Sequence, residues 1–288
     1  MSRIGVFICH CGENMGKTVD CARVAEEAKN FEILKYDGVK ALKIRQWQQA
    51  IRCLSHALSI REDLECRDYL SQALIQDNQL TAAYEELQKL HEAEPDNQDI
   101  LQRMANVAFV MEDYGAMASS CEKALLISKD NPEIYYLYGR ACMGQEDLTN
   151  AIAMFTKAIS LNEDYGDAYL MRAGVMLQRG EVEAAEQDCQ WLLERASSVE
   201  DVLILKAKVE TAKGNHSEAL SYYDKVIEGN PFSIEGFTLR AELKKQMGDQ
   251  QGAEEDLARL REINPDGNDE DLEQKMNEAY KNSNPMGL

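Results

Sequence analysis

The chain predicts an all-α protein: a right-handed α-solenoid of seven two-helix repeats, preceded by a short β-loop-α segment and closed by a capping helix. Three observations carry this expectation. Seven small residues recur in register, Gly38, Ser71, Ala105, Gly139, Ala173, Ala207 and Ala241, spaced 33 once and 34 five times. A second set lies twelve residues further on: Ala50, Ala83, Met117, Ala151, Ala185, Ala219 and Ala253. Proline is scarce, five in 288 residues, which permits long helical runs. Self-similarity at this period marks stacked helix pairs, because no single pair buries both of its faces alone.

From the N-terminus, residues 3–8 (Arg-Ile-Gly-Val-Phe-Ile) read as a short strand and residues 12–17 as a glycine-containing loop. Residues 18–29 read as a helix capped by Thr18, with Val19, Val24, Ala25 and Ala28 on its apolar face. Strand, loop and helix raise two chemistries. Gly16-Lys17-Thr18 matches the end of a phosphate loop, but Cys11 stands where its first glycine belongs. The helical array that follows offers no parallel sheet and no second strand with a magnesium-holding acid, so the match reads as accidental. The second chemistry is a metal. Cys9 and Cys11, two apart on a strand, share one side, and Cys21 on the following helix is a third candidate ligand. Thiolates favour zinc or an iron–sulfur cluster, although a closed structural site needs four ligands.

The run Ile4 to Gly12, followed by Asn14, Val19-Asp20 and Val24, resembles the extreme N-terminus of the flavin-carrying subunit of the heterodisulfide reductase family. Those proteins carry flavin and iron–sulfur clusters, and the resemblance implies that Cys9 and Cys11 are cluster-side cysteines. Their flavin domain and cysteine-rich ferredoxin motifs are absent from the sequence, so their activity does not carry over. Residues 1–30 therefore form a separate segment. Its strand has no partner within the chain, which reads as a relic, an inter-gene fusion or a start site placed too early, without a cofactor. The alternative is a redox-linked adaptor holding a metal or iron–sulfur cluster at Cys9, Cys11 and Cys21.

Residues 31–267 divide into units at 31–63, 64–97, 98–131, 132–165, 166–199, 200–233 and 234–267. In each, helices A and B cross at one small residue from each, which lets the axes approach closely. Tyr135, Tyr138, Ile152, Phe155 and Ile159 surround the crossing of the fourth unit. Helix B offers Ala57, Leu90, Ala124, Ala158, Leu192, Val226 or Leu260 to the unit that follows. Gly180, Gly214 and Gly248 sit between A and B, where a helix end favours positive φ. Pro95, Pro231 and Pro265 fall after helix B, where proline stops a helix without breaking one. This set of positions resembles the tetratricopeptide repeat family. Three features depart from it: Met117 replaces the alanine of its crossing and predicts a splayed third unit, the first unit is one residue short, and 166–199 lacks a closing proline. In residues 268–288 a last helix, 269–281, carries Leu272, Met276 and Tyr280 in one stripe able to cap the array. Residues 282–288 read as an unstructured tail.

The formal net charge of −20 disfavours nucleic acid and anionic membrane surfaces as partners. No segment approaches the ~18 apolar residues that span a bilayer. Ile4 to Ile8 is too short for a secretory signal, so a cytoplasmic protein is expected. Cys53, Cys66, Cys121, Cys142 and Cys189 fall at helix positions that suit small buried hydrophobes, consistent with reduced thiols. His56, His91 and His216 lie at unrelated repeat positions with no nucleophile at a suitable spacing, so the chain reads as no enzyme.

In the tetratricopeptide repeat family helix A lines the concave side, exposing the second, fifth, ninth, twelfth and thirteenth residues of each unit. Those positions give partner-binding candidates Asn106 and Phe109 in the third unit, Tyr136, Arg140 and Met143 in the fourth, and Leu170 and Leu177 in the fifth. Aromatic and apolar groups around one arginine are the usual make-up of a binding hot spot. The carboxylate clamp by which some family members hold acidic chaperone tails is missing: Lys35 is followed by Val39, and Asn106 is preceded by Gln102. The sequence thus predicts a non-catalytic scaffold whose concave face binds a peptide or protein segment, with Asp99, Glu133 and Asp167 as an acidic rim favouring some positive charge.

Overall fold

A computed structural model describes residues 21–264 of the chain. Those residues hold fourteen α-helices and no strand. They are α1 (Cys21–Lys43), α2 (Trp47–Ile60), α3 (Leu64–Gln76), α4 (Leu80–Ala93), α5 (Gln98–Val110), α6 (Tyr114–Ile127) and α7 (Pro132–Gly144). Then follow α8 (Leu148–Leu161), α9 (Gly166–Gln178), α10 (Val182–Ala196), α11 (Glu200–Ala212), α12 (His216–Gly229), α13 (Ile234–Gln246) and α14 (Gln250–Ile263). Odd-numbered helices are the A members of hairpins and even-numbered helices the B members. The chain divides between Lys129 and Asp130 into two compact units, the first holding α1–α6 and the second α7–α14.

The strand and loop expected over 3–17 and the capping helix expected over 269–281 lie outside the described residues. The helix expected over 18–29 is, from Cys21 onward, no separate element: α1 runs through residue 30 to Lys43. Neither proline nor glycine interrupts residues 21–37, and the fully buried Phe31 carries the apolar face across the expected boundary. The first A helix is therefore longer by about three turns than the repeat period alone implies.

Both sets of small residues are buried throughout. The two glycines show what the crossing demands. A Cβ on Gly38 would stand 2.6 Å from Leu54 Cγ, and one on Gly139 would stand 2.6 Å from Cε1 of Phe155. Leu54 and Phe155 are themselves fully buried, so neither has room to retreat. Met117, the exception in the B set, is also fully buried, and α5 and α6 meet along as much of their length as the other pairs. The expected splay is absent, because an unbranched thioether chain adapts its shape to a narrow crossing. The residues that helix B offers to the following hairpin, from Ala57 to Leu260, are all at most 4% exposed.

The A–B turns share one device. Gly180, Gly214 and Gly248 adopt φ of 76°, 81° and 83°, and Arg45, Asn78, Glu112 and Glu146 adopt φ of 57–61° at the same repeat position. In the third hairpin the reversal is closed by Glu112 N–H donating to Phe109 O and Asp113 N–H to Ala108 O, both at 2.9 Å. The next residue then starts helix B: Asp113, Asp147 and Asp249 accept from the backbone N–H of Ala116, Asn150 and Gly252 at 2.9, 3.1 and 2.9 Å. Cys66, Cys121, Cys142 and Cys189 are buried and form no disulfide, and burial pushes Cys66 and Cys189 up to about 11.

Candidate functional site

On α7, Tyr136 is half-buried against Phe155 and Tyr165, with ring centroids 5.9 and 5.1 Å away, and the Arg140 guanidinium lies 5.6 Å from its ring. Burial raises the Tyr136 hydroxyl above its ordinary value. Met143 is half-buried against the core around Ala151 and Phe155. On α9, Leu170 is half-buried, whereas Leu177 is 8% exposed and belongs to the core with Ala185 and Val209. Leu177 is therefore removed from any binding surface: the twelfth position of this helix turns inward. Asn106, exposed, and Phe109, half-buried, lie on α5 in the first unit, so they are described apart from the other five. Lys35 does not stand free for a ligand: its ammonium donates to Asp63 at 3.0 Å and Glu65 at 2.6 Å.

The second unit contains a cleft of about 280 Å³ on its A helices. Leu170 and Met171 of α9 and Ile204 and Leu205 of α11 supply its apolar lining. Asp201, Lys208 and, from α13, Glu235 supply its polar edge, where Lys208 pairs with Glu235 at 3.0 Å. Gly174, exposed in the middle of α9, leaves the cleft open, since a Cβ there would meet nothing within 4 Å. An apolar cavity of ~150 Å³ already admits a benzene ring, so this cleft has room for a large aliphatic or aromatic side chain. Of its lining, the sequence singles out Leu170 alone. The second, fifth and ninth positions of the sixth unit are Asp201, Ile204 and Lys208, and a search for aromatic and arginine anchors passes over them.

The helices that carry the cleft are held by buried charge. Arg172 of α9 makes a two-pronged pair with Asp188 of α10 at 2.8 and 2.7 Å. Behind α11, Lys206 bonds Glu210, Asn215 donates to the other Glu210 oxygen at 2.7 Å, and Glu186 of α10 receives Lys213 at 2.7 Å. Burial alone would push the Glu210 carboxyl up, but the hydrogen bonds from Asn215 and Lys206 outweigh it and hold the group below the ordinary carboxylate range. Desolvation likewise opposes the Lys206 charge, and Glu210 and Glu186 more than offset it, leaving the ammonium above its usual value.

The first unit has a cleft of about 250 Å³ between α3 and α5 with a different lining. Glu65, Asp68, Glu94 and Asp99 dominate it, and Arg103 bonds Asp68 and, at 2.6 Å, Ser71 Oγ. Among the described residues no group of three His, Cys, Asp or Glu side chains is placed to hold a metal, and no helix is long and apolar enough to cross a membrane. Cys9 and Cys11 lie outside the described residues, and the side chain of Cys21 is likewise not described.

Residues 143–209, which include α8–α10 and most of α11, match the family model for the tetratricopeptide repeat. Solved structures share the fold. A tetratricopeptide repeat protein from Parabacteroides merdae superposes with a TM-score of 0.72 at 16% identity, covering 88% of this chain and 99% of its own. PilW, a type IV pilus biogenesis factor, gives 0.64 at 19% identity, covering 74% of this chain and 98% of its own. The pilF protein of Pseudomonas aeruginosa gives 0.58 at 17% identity, covering 75% and 99%. At these identities the likeness establishes the fold, an all-helical stack of repeat hairpins.

Proposed function

We propose that this protein is a non-catalytic interaction scaffold that receives a peptide or protein segment on the faces of its A helices. The observation that carries the reading is the open apolar cleft on α9 and α11, walled by neighbouring hairpins and edged by charged groups. Concave apolar sites with a few placed polar groups are where ligands bind. The repeat fold supports the same reading, because its A helices present an extended surface that the core does not consume. Tyr136 with Arg140 on α7, beside Met143, and Leu170 on α9 are the proposed anchors in the second unit; Asn106 and Phe109 on α5 are those in the first.

The test is selection of a random displayed-peptide library on the purified full chain, followed by photo-crosslinking. A crosslinker replacing Met171, at the cleft, should capture selected peptides saturably. One replacing the exposed Lys157 on α8 should not. Absence of saturable peptide binding, or capture at Lys157 alone, would overturn the reading.

A further inference from the structure

The cleft also carries information about its occupant, on the premise that the A-helix face binds peptides. Four acidic residues recur 34 apart in the first turns of α7, α9, α11 and α13: Glu133, Asp167, Asp201 and Glu235. Their place near helix N-termini is favourable in itself, so the ladder alone would name no ligand. Its members, however, are not equivalent. Glu133 accepts the Tyr165 hydroxyl, and Glu235 is engaged by Lys208. Asp167 and Asp201 are exposed and make no side-chain hydrogen bond or ion pair among the described residues. These two carboxylates stand on α9 and α11, the helices that also line the cleft.

Gly174 is the second observation. Glycine inside a helix is destabilising relative to alanine, and nothing in the packing requires it here, unlike at Gly139. What its missing side chain does provide is the opening above Leu170 and Ile204.

We infer that the cleft accepts one aliphatic or aromatic side chain of an extended peptide, and that Asp167 and Asp201 each receive a basic side chain flanking it. Packed helices lie 8–10 Å apart, and an extended chain advances about 3.3 Å per residue with alternate side chains on one face, so the two basic residues should be about four positions apart with the apolar residue midway between them. The partner is thus a basic segment with an apolar residue between two arginines or lysines, a complement to the charge of −20 on the whole chain.

The same peptide library tests this, read now for sequence pattern and for response to cleft variants. Selected peptides should share a basic residue, an apolar residue and a second basic residue at about that spacing. Gly174→Met should weaken them about tenfold or more by filling the cleft, with the melting curve unchanged or raised. Asp201→Asn should weaken them about threefold and reduce the salt dependence of binding. Selected peptides that lack the pattern, or that bind the folded Gly174→Met protein within about twofold of the parent, would overturn the inference. If such peptides still crosslink at Met171, the scaffold reading stands without it; if no peptide binds saturably, both fall.

Discussion

The α9–α11 cleft and the α3–α5 cleft share lining at repeat positions two, five and six, yet the first is mainly apolar and the second is rich in acids. Position five is Leu170 and Ile204 in the first of these, Asp68 in the second. Position six is Met171 and Leu205 in one, Arg103 in the other. Position nine of the leading helix is Gly174 in one; in the other it is Gln72, whose amide donates to Asp68 at 2.8 Å. Position two is acidic in all four helices. The hairpins are built alike because their crossings and turns are built alike. Some A-face positions, such as Gly174 and Asp201, are left exposed by the core while others, such as Ile204 and Leu205, belong to it, and a repeat can therefore be apolar and open in one place, polar and bridged in another, without a change of fold.

The sharpest test of that contrast uses a charged pair from each unit. In the second unit the supporting charge is buried, with Glu210 2% exposed and Lys206 9%. Glu210→Ala strands the ammonium beside Glu186 alone and is expected to cost about 3 kcal/mol. In the first unit the Arg103–Asp68 pair is 22% and 35% exposed, so Arg103→Met should cost only about 1 kcal/mol. Urea unfolding of the two variants measures both; equal losses would mean that burial does not separate the two pairs, and the first unit has a buried charge of its own at Arg67, paired with Glu62 and Glu86. The pH response follows with a definite sign. The folded Glu210 carboxyl titrates below its unfolded value near ~4.3, so its stabilisation is complete above that pH and is lost as pH falls through the folded value. Acid unfolding of Glu210→Gln should therefore show a shallower pH dependence than that of the parent.

Two glycines separate what the fold needs from what the cleft needs. Gly139→Ala forces a methyl group into Phe155 and should destabilise by ~1–3 kcal/mol. Gly174→Ala meets open space and should stabilise by ~0.5–1 kcal/mol through helix propensity. Opposite shifts in the urea midpoint are the expected result; destabilisation by both would mean that α9 needs its glycine for packing.

Much of this architecture is legible in the sequence, for a physical reason. A helix crossing favours small side chains, with the adaptable Met117 as the exception, so Ala151 and Ala185 announce themselves by period, and both are fully buried. Positive φ favours glycine, so three A–B turns are visible, but Arg45, Asn78, Glu112 and Glu146 adopt the same backbone without the expected residue. The start of the first A helix is not legible, because continuity from Cys21 to Lys43 rests on the absence of a breaker rather than on a signal. Of the binding candidates read from sequence, Leu170 lines the cleft, while Leu177 is misplaced because a leucine on an A helix suits the surface stripe and the core equally. The cleft itself arises from a missing side chain at Gly174, and composition at one position does not reveal an opening formed by two helices.

The smallest expected effect comes from the turns, one in each unit. Glu112 and Glu146 hold φ of 57° and 61°, a conformation that costs an L-residue ~1–2 kcal/mol. Replacing either by glycine removes that cost but enlarges the entropy of the unfolded chain by ~0.4–1 kcal/mol. The difference leaves a net gain of about 0.5 kcal/mol for Glu112→Gly or Glu146→Gly. It should appear as a higher urea midpoint with an unchanged slope, since the exposed area of the unfolded chain hardly alters. Neither residue lines either cleft, so peptide affinity should stay at the parental value in both variants. A change in affinity on either substitution would show that the turns communicate with the A-face positions, and the independence of cleft chemistry from hairpin construction would then fail.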